Sequence, residues 1–514
     1  MFWRDIKNEP KEVLNWRLWV STIVFGLMGA ARGLDEGTIS GTVKHPSFIK
    51  QFGLEDPTKT ESQLANLKSN ITSMVQIGCI GGAILGFLVN DKIGRIKSYR
   101  LMLIIWLIGV IISITSFHGV GQLYAGRFIA GLGVGMTSVV CPTYAVEVAP
   151  ANVRGLCACM YSGSVYLGVM IGQFANLGTT IHIGDNDRNQ WVIPTSVQIM
   201  WAGIFFIGSF FTIESPRWLY KIGRNEEASS ALSRIRNLPE DHPYVVWEVN
   251  QILTQVNAET EKLKFWVALK ELFTTYWYRM LICILIQILG QWSGANSVTI
   301  YAPTWFELVG VDTDLDQMKL TAGFGTVKFV ASLVCAIFLI DALGRKRSLY
   351  TGIFLQLFAL IYVTCFVAKG GTQAAANGAI AMLYISGIGW ALGFNSIQYL
   401  INSEIFPLSV RSVATAFIMA FHFANQYGNS RALPPMNVTM GDWGALAFFS
   451  CISFLGLLFA FFMVPEPAGH SLESIEELFS LPWYKIAHYK FKEATLEEKE
   501  AKLADVQTQH VERA

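Results

Sequence analysis

Three ionisable residues lie within five positions of one another at the end of an apolar stretch. They are Arg32, Asp35 and Glu36 in ARGLDEGTISG, and the residues before them, LWVSTIVFGLMGA, are typical of a membrane-spanning helix. An ionisable side chain is costly within a lipid bilayer, and where one occurs it commonly binds an ion or a substrate or carries a proton. The stretch therefore predicts a functional site within the membrane.

Two further cations fall in apolar segments, Lys328 in GFGTVKFVASLV and Arg431 in NQYGNSRALPP. Arginine and lysine pair well with carboxylates, so these cations together with Arg32 favour a carboxylated ligand. Structural alternatives stay open for each of them. Arg32 can pair with Asp35 or Glu36 along one helix face, Arg431 can extend to the membrane surface, and Lys328 can pair with a carboxylate elsewhere in the chain.

The composition places this chemistry in a membrane protein. Of the 514 residues, 52% are hydrophobic and 15% charged, and the mean hydropathy is +0.40, which is too apolar for a soluble protein of this size. A helical span needs roughly 20 apolar residues. The sequence predicts an all-α membrane protein with twelve such spans, whose cores are residues 18–40, 71–90, 99–117, 121–142, 157–178, 196–213, 278–302, 321–340, 348–368, 376–400, 412–433 and 443–464.

Basic residues in short loops predict the orientation of these spans. They precede span one and follow spans two and eight, as Arg4, Lys7, Lys11 and Arg17, then Lys92, Arg95, Lys97 and Arg100, then Arg345, Lys346 and Arg347. Loops rich in Lys and Arg are cytoplasmic, so we expect both termini in the cytoplasm and residues 42–69 outside. The polar first 17 residues have no signal-peptide pattern, so span one is expected to direct insertion.

Polar segments divide the chain into five parts. We predict a cytoplasmic N-terminus at residues 1–17, a six-helix bundle at 18–213, a cytoplasmic linker with short amphipathic helices at 214–276, a second six-helix bundle at 277–464 and a cytoplasmic tail at 465–514. The tail is charged and is expected to be partly disordered.

The two bundles repeat the same charged motifs in the same order. NDKIGRIKS follows span two, and IDALGRKRS follows span eight. Glu147 and Arg154 are seven residues apart after span four, as are Glu404 and Arg411 after span ten. A duplication of this kind is typical of a carrier built from two six-span bundles around a site at the membrane midplane.

These motifs resemble those of the sugar porter family of the major facilitator superfamily, over roughly residues 15–480. The similar segments are Gly86–Arg95, which resembles GxxxDxxGR with one residue more between Gly86 and Asp91, GR at Gly126–Arg127, IESPRWL at 213–219 in place of PESPRWL, and SEIFPLSVR at 403–411. The family's PETKG is PEPAG here, at 465–469, so the Glu is kept and the Lys is absent. The resemblance implies two pseudo-symmetric bundles that move a substrate by alternating access.

The resemblance also implies a latch of ion pairs at the cytoplasmic ends of the spans. Such pairs are individually weak, so they can close one side of a carrier and open again. The alternative is that these charges only mark loop ends and orientation. The predicted gate residues are Asp91, Arg95, Glu147, Arg154, Glu214, Arg217, Asp341, Arg345, Glu404, Arg411 and Glu466.

In proton-coupled members of the family, the Asp of a GYDxGxxSG motif in span one is the proton carrier, and its partner is the Arg of GR in span four. The matching residues are Asp35 and Arg127. A carboxylate beside an arginine prefers to be ionised, whereas burial favours the protonated form, so movement of the cavity can switch the proton on or off. The alternative is a structural ion pair joining the two spans. No role is assigned to Glu36.

The family's hexose pocket is only partly present. By resemblance, the substrate-binding residues are Gln291, Asn296 and Tyr301 of span seven, with Ser162, Tyr399, Asn425 and Gln426 at further pocket positions. Several of these differ from the family's Gln and Trp residues. Basic residues have been added, since Arg32 replaces an aromatic residue and Lys328 an Asn, and Arg431 lies about one turn past Gln426.

These changes favour a proton-coupled importer of a sugar acid, similar to fungal galacturonate and quinate carriers, acting as a monomer in the plasma membrane. A neutral hexose or polyol carrier is the first alternative. A transporter-like sugar sensor is the second, although such sensors often have much longer tails. We expect no enzyme activity, no metal, no cofactor other than the coupled proton, and no nucleic-acid partner, because no corresponding motif is present.

Overall fold

The computed structural model describes residues 12–117, 119–150, 153–260, 265–339, 343–466, 478–487 and 489. Within them the chain crosses the membrane twelve times, as predicted. The first six spans are Trp16–Gly26 with Gly29–Thr42, Glu61–Ile93, Arg95–Ile114, Val120–Val148, Arg154–His182 and Asn189–Gly208. The second six are Trp277–Trp292 with Ala295–Ile300, Asp314–Val334 continued by the π-helical turn Cys335–Leu339, Arg345–Lys369, Gln373–Trp390 continued through Ala391–Asn395 and Ser396–Glu404, Leu408–Met440 and Asp442–Phe462.

Three of the spans are interrupted. Span one is broken between Gly26 and Gly29. Span seven is broken at Gly294, whose φ of 85° is disfavoured for residues with a Cβ. Span ten is distorted at Gly393, where the backbone leaves the helical region. Interrupted spans free backbone and side-chain polar groups near the midplane, which is where carriers place their substrate sites.

The spans differ in hydropathy, and the less apolar ones carry buried ionisable or amide side chains. Among the described helices, eight are long and apolar enough to cross a membrane on composition alone, and spans one, five, eight and eleven are not among them. These four spans contribute buried polar side chains instead, including Asp35, Gln173, Lys328 and Gln426. The weak hydropathy of these spans is therefore a consequence of their place around the interior.

Close packing of span one on span five depends on glycine. A Cβ at Gly33 would lie 1.7 Å from the carbonyl oxygen of Val165, and a Cβ at Gly37 would lie 2.4 Å from that of Val169. The two backbones are thus in direct contact, which small residues allow in membrane helices. Because Gly33 and Gly37 must face span five, they fix the rotation of span one, and with it the directions in which Arg32 and Asp35 point.

Four helices connect the halves, at Pro216–Lys221, Asn225–Arg236, Pro243–Thr260 and Phe265–Thr274. Buried Arg236 pairs with Glu248 (2.6 Å) and donates to the carbonyl of Val148 at the end of span four (2.9 Å). We call this side of the molecule the linker end, and the side that carries residues 43–60 the opposite end. Parts of the predicted N-terminal and C-terminal segments, at 1–11, 467–477 and 490–514, lie outside the described residues.

Candidate functional site

A narrow cavity lies between the two halves. We call it the central cavity. Spans one, five, seven, eight and ten line it, through Arg32, Glu36, Val165, Tyr166, Asn296, Lys328, Trp390, Asn395, Gln398 and Tyr399. Its lining combines cations, amides and aromatic rings, which are the groups that bind hydroxylated and carboxylated small molecules.

Arg32 is the centre of a hydrogen-bond network in this cavity. Its Nε donates to Glu36 Oε1 at 2.9 Å, and its Nη1 donates to the hydroxyl of Tyr399 at 3.0 Å. The same Nη1 lies 3.0 Å from Nε2 of His422, and the guanidinium stacks near the Phe423 ring. One cation of the first half is thus held by spans ten and eleven of the second half.

Glu36, to which the sequence analysis assigned no role, is a central member of this network. Its Oε1 also accepts a hydrogen bond of 2.7 Å from Gln426 Nε2. The carboxylate is buried, with 5% of the side chain exposed. The pairing of Arg32 with Glu36, one of the two alternatives left open by the sequence, is the one that the structure contains.

Lys328 reaches the central cavity from span eight. Its Nζ donates to Thr299 Oγ1 at 2.6 Å and lies 4.6 Å from the centroid of the Tyr166 ring. The indole of Trp390 donates to the hydroxyl of Tyr166. Among the described residues, the Lys328 ammonium contacts a hydroxyl and two aromatic rings, whereas the Arg32 guanidinium contacts a carboxylate.

Amide groups around the cavity retain unused hydrogen-bonding atoms. Within the described residues, partners are absent for Asn296 Nδ2, Asn395 Nδ2, Gln398 Oε1, Gln291 Oε1 and Gln426 Oε1. Buried amide atoms normally have partners. Both donors and acceptors are represented here, which suits a ligand with several hydroxyl groups.

Six predicted substrate residues are not among those that line the cavity, and two of them, Gln291 and Gln426, belong to the hydrogen-bond network beside it. Ser162 is buried in span five, and Asn425 accepts a hydrogen bond from the Trp292 indole (3.2 Å). The Tyr301 hydroxyl lies 2.6 Å from Thr72 Oγ1 and donates to the carbonyl of Ser430. Arg431 donates to side chains of span two, described below. In this conformation the polar groups of Asn425, Tyr301 and Arg431 have partners outside the cavity. The substrate contacts of these residues and of Ser162 remain predictions.

Asp35 and Arg127 form a buried ion pair between spans one and four. Both carboxylate oxygens are used, with Nη1–Oδ1 at 3.1 Å and Nη2–Oδ2 at 3.3 Å. Arg127 also donates from Nε to the carbonyl of Ile71 (2.7 Å). The pair lines a second narrow cavity inside the first half, which extends to Phe48 near the opposite end. We call it the side cavity.

At the linker end, Arg95 joins several of the predicted gate residues. It pairs with Glu147 through two hydrogen bonds of 2.6 and 2.8 Å and with Asp91 at 3.1 Å. Glu214 accepts from the backbone N–H groups of Arg95 (3.1 Å) and Ile96 (3.2 Å) at the start of span three. Burial raises the pKa of Glu214, and these backbone donors act in the opposite direction.

The second half repeats part of this arrangement. Glu466 accepts from the backbone N–H groups of Arg345 and Lys346, both at 2.9 Å, at the start of span nine. Arg411 donates to the carbonyl of Phe406. Both Glu214 and Glu466 therefore cap the N-terminus of a helix that begins with Arg, where a negative charge is stabilised by the helix dipole.

The remaining gate predictions have less structural detail. Arg217 is half-buried on the helix Pro216–Lys221. The side chains of Arg154 and Glu404, and the whole of Asp341, lie outside the described part of the structure. Their predicted pairing therefore remains a prediction.

The two halves are in contact at the opposite end. Lys44, after span one, forms an ion pair with Glu307 of the helix Ala302–Leu308. Arg431 of span eleven donates to Ser69 Oγ (2.6 Å) and Asn66 Oδ1 (2.7 Å) of span two. These contacts close the opposite end of the central cavity in this conformation.

Comparison with known proteins identifies the class of the molecule. Residues 21–479 match the family described as sugar (and other) transporters. The chain belongs to this family. It is 33% identical over 485 residues to a probable quinate permease of Neosartorya fischeri, covering 91% of this chain and 89% of the relative. It is 32% identical over 512 residues to a quinate permease of Emericella nidulans, covering 97% and 95%.

Solved structures show which fold this transporter has. The xylose transporter XylE from E. coli, in a partially occluded inward open conformation, has a TM-score of 0.75 at 23% identity, covering 89% of this chain and 100% of that chain. The chain therefore has the major facilitator fold, as predicted. Its relatives are permeases and transporters, so the expectation of a carrier rather than an enzyme is confirmed.

Sequence reasoning missed several residues of this transporter's cavity, above all His422. Its Nδ1 lies 2.8 Å from Gln287 Oε1 and 3.3 Å from Gln291 Nε2. Helical spacing could have identified this set, because His422 is four residues before Gln426 and Gln287 is four before Gln291. Tyr166, Trp390 and Asn395 carry no comparable signal.

Proposed function

We propose that the protein imports a hydroxylated monocarboxylic acid, similar to quinate or galacturonate, together with protons. The observation that carries the proposal is the composition of the central cavity. Arg32, Lys328 and the carboxylate of Glu36 line it. Amide groups around it have atoms without a hydrogen-bond partner in the described part of the chain. The names of its relatives, quinate permeases from two fungi, support the same class of substrate.

Charge decides between an acid and a neutral sugar. With Lys328 protonated, two cations and one carboxylate line the described part of the cavity, which leaves one positive charge uncompensated. An uncompensated charge in a poorly solvated cavity is costly. A monoanion removes that cost, whereas a neutral sugar of the same size does not. The amides and the rings of Tyr166 and Trp390 serve the hydroxyl groups and the carbon skeleton.

Proton coupling is assigned to Asp35 with Arg127. The pair lies on the side cavity, apart from the substrate, but Asp35 is adjacent to Glu36 on span one. A movement of span one on substrate binding would change the distance from Asp35 to Arg127, and with it the affinity of Asp35 for a proton. The fold neighbour XylE is named a proton:xylose symporter, which supports this assignment.

Orientation and gating complete the proposal. The linker end, with its concentration of basic residues, is assigned to the cytoplasm of a plasma-membrane carrier. The contacts of Lys44 and Arg431 close the external side, and the Arg95 and Glu214 network is assigned to the cytoplasmic latch. One chain contains both cavities, so the proposed working unit is the monomer.

The test is uptake into a yeast strain without its own transporters. Labelled quinate, galacturonate and glucose are supplied at pH 5 and at pH 7, with and without a protonophore. We expect uptake of at least one acid, faster at the lower pH and abolished by the protonophore. Uptake of glucose alone would refute the acid substrate, and acid uptake that ignores the protonophore would refute proton coupling.

A further inference from the structure

We propose that Glu36 is a built-in counter-ion that occupies Arg32 in the empty carrier and gives way to the substrate carboxylate. The exchange makes the central cavity selective for a single negative charge. This inference rests on the proposed import of a hydroxylated acid and adds to it the group that sets the charge of the preferred substrate.

The geometry of the Arg32–Glu36 contact is that of a replaceable partner. One oxygen, Oε1, receives both the bond from Arg32 Nε (2.9 Å) and the bond from Gln426 Nε2 (2.7 Å). Asp35, the preceding residue, points to a different face of the helix and instead engages Arg127 with both carboxylate oxygens. An arginine binds a carboxylate best through two parallel bonds. A substrate carboxylate can therefore offer Arg32 a better contact than Glu36 does.

Arg32 is also fixed in place without Glu36. Its Nη1 donates to the Tyr399 hydroxyl and contacts His422, so the guanidinium keeps its position when the carboxylate partner changes. His422 is in turn positioned by Gln287. A cation held by neutral neighbours can exchange one anion for another without reorganisation of the site.

The displaced carboxylate keeps favourable contacts. Gln426 can retain its hydrogen bond to Glu36, and Lys328 lines the same cavity with a hydroxyl and an aromatic ring as its present neighbours. After the exchange, the substrate neutralises Arg32 and Glu36 neutralises Lys328. The loaded cavity is then neutral with a monoanion, negative with a dianion, and positive with an uncharged sugar.

A purely structural role explains less. A pair spaced four residues apart in a helix contributes little to stability, and burying two charges costs free energy that apolar residues would avoid. A buried pair is therefore weak evidence for stability. Its place on the lining of a substrate cavity indicates a function in binding.

The test compares ligands that differ mainly in charge. Binding to the purified protein and uptake into proteoliposomes are measured for quinate and galacturonate (one carboxylate), galactarate (two) and galactose (none). The variants are Glu36→Gln and Glu36→Asp. The control is Glu227→Gln, which removes an exposed carboxylate from the linker.

We expect monocarboxylates to bind best to the wild type, to the control Glu227→Gln and to Glu36→Asp. In Glu36→Gln, the empty cavity carries two uncompensated cations, so the ratio of galactarate affinity to galacturonate or quinate affinity should rise by about tenfold or more. An unchanged ratio in Glu36→Gln would overturn the inference, even if transport is lost, because binding alone decides it. Wild-type protein that binds galactose and no acid would instead refute the proposed function.

Discussion

Two neighbouring carboxylates of span one have different partners because adjacent helix positions point about 100° apart. Asp35 faces span four and uses both oxygens on Arg127. Glu36 faces the second half, where Gln426 and Arg32 share one of its oxygens. A single helix thus presents one carboxylate to each cavity, so the proposed proton and substrate sites are distinct but lie on the same helix.

We predict that Asp35→Asn separates exchange from accumulation. The amide keeps the shape and a hydrogen bond but cannot lose a proton, so the variant should exchange labelled for unlabelled acid and should not concentrate it. Both are measured in proteoliposomes with and without an imposed proton gradient. Asp316→Asn, an exposed residue at the start of span eight, is the control. Gradient-driven accumulation in the Asp35 variant would exclude Asp35 as the proton carrier.

We predict that Lys328→Gln weakens acid binding by about tenfold or more, because the Glu36 carboxylate that the substrate displaces from Arg32 then has no cation to neutralise it. Binding of neutral galactose should change much less. Lys319→Gln is the matched control, since Lys319 lies on the same helix with its side chain 53% exposed. Equal losses for acid and neutral ligands would show that Lys328 supports the fold rather than the substrate charge.

The sequence predicted some residues around the central and side cavities and missed others. Asp35, Arg127, Arg32 and Lys328 were identified because a charge inside an apolar run is conspicuous. Glu36 was missed because the direction of a side chain depends on the break in span one, which no local pattern fixes. Arg431 lies in span eleven, which continues as a helix to Met440, and in this conformation it contacts span two; its substrate contact remains a prediction.

At the scale of helices, the apolar runs predicted which segments are spans but not where they end. Span two extends from Glu61 to Ile93 although its apolar core is only 71–90, because the capping box of Thr60 and Gln63 begins the helix outside the apolar region. Extended ends of this kind bring spans two and eleven together at the opposite end. The contact between the halves there follows from helix length rather than from hydropathy.

Span one depends on its glycines for its position. We predict that Gly33→Ala destabilises the protein by at least about 1 kcal/mol, because its Cβ would overlap the carbonyl of Val165 and force spans one and five apart. Thermal unfolding in detergent measures the change. Gly178→Ala in span five is the control, since no heavy atom lies within 4 Å of its Cβ position. An unchanged melting temperature for Gly33→Ala would contradict the close packing described above.

At the scale of the whole molecule, the two halves repeat their charged motifs but are not equivalent in this conformation. Glu214 and Glu466 cap corresponding helices at the linker end. At the opposite end, the contacts join one half to the other, through Lys44 with Glu307 and Arg431 with span two. The internal repeat was readable from the sequence, whereas the contacts between halves were not, because they belong to one state of the cycle.

The ion pair of Lys44 with Glu307 allows a test of whether contacts between the halves keep the opposite end closed. Its side chains are 18% and 51% exposed, so the pair should contribute about 0.2–1 kcal/mol to the closed state. Lys44→Glu or Glu307→Lys should therefore shift the balance by about 1.4- to 5-fold toward opening at this end, and the double reversal should restore it. Spin labels at Lys50→Cys and Asp314→Cys, which line the cleft that also contains Lys44 and Glu307, report the distance between the two halves at this end. If the single reversals leave the distance distribution unchanged, or if the double variant is as open as either single one, the pair is not part of the closure. Restoration by the double variant is the decisive result, because a charge change acting on expression or folding would not be reversed by a second change across the interface.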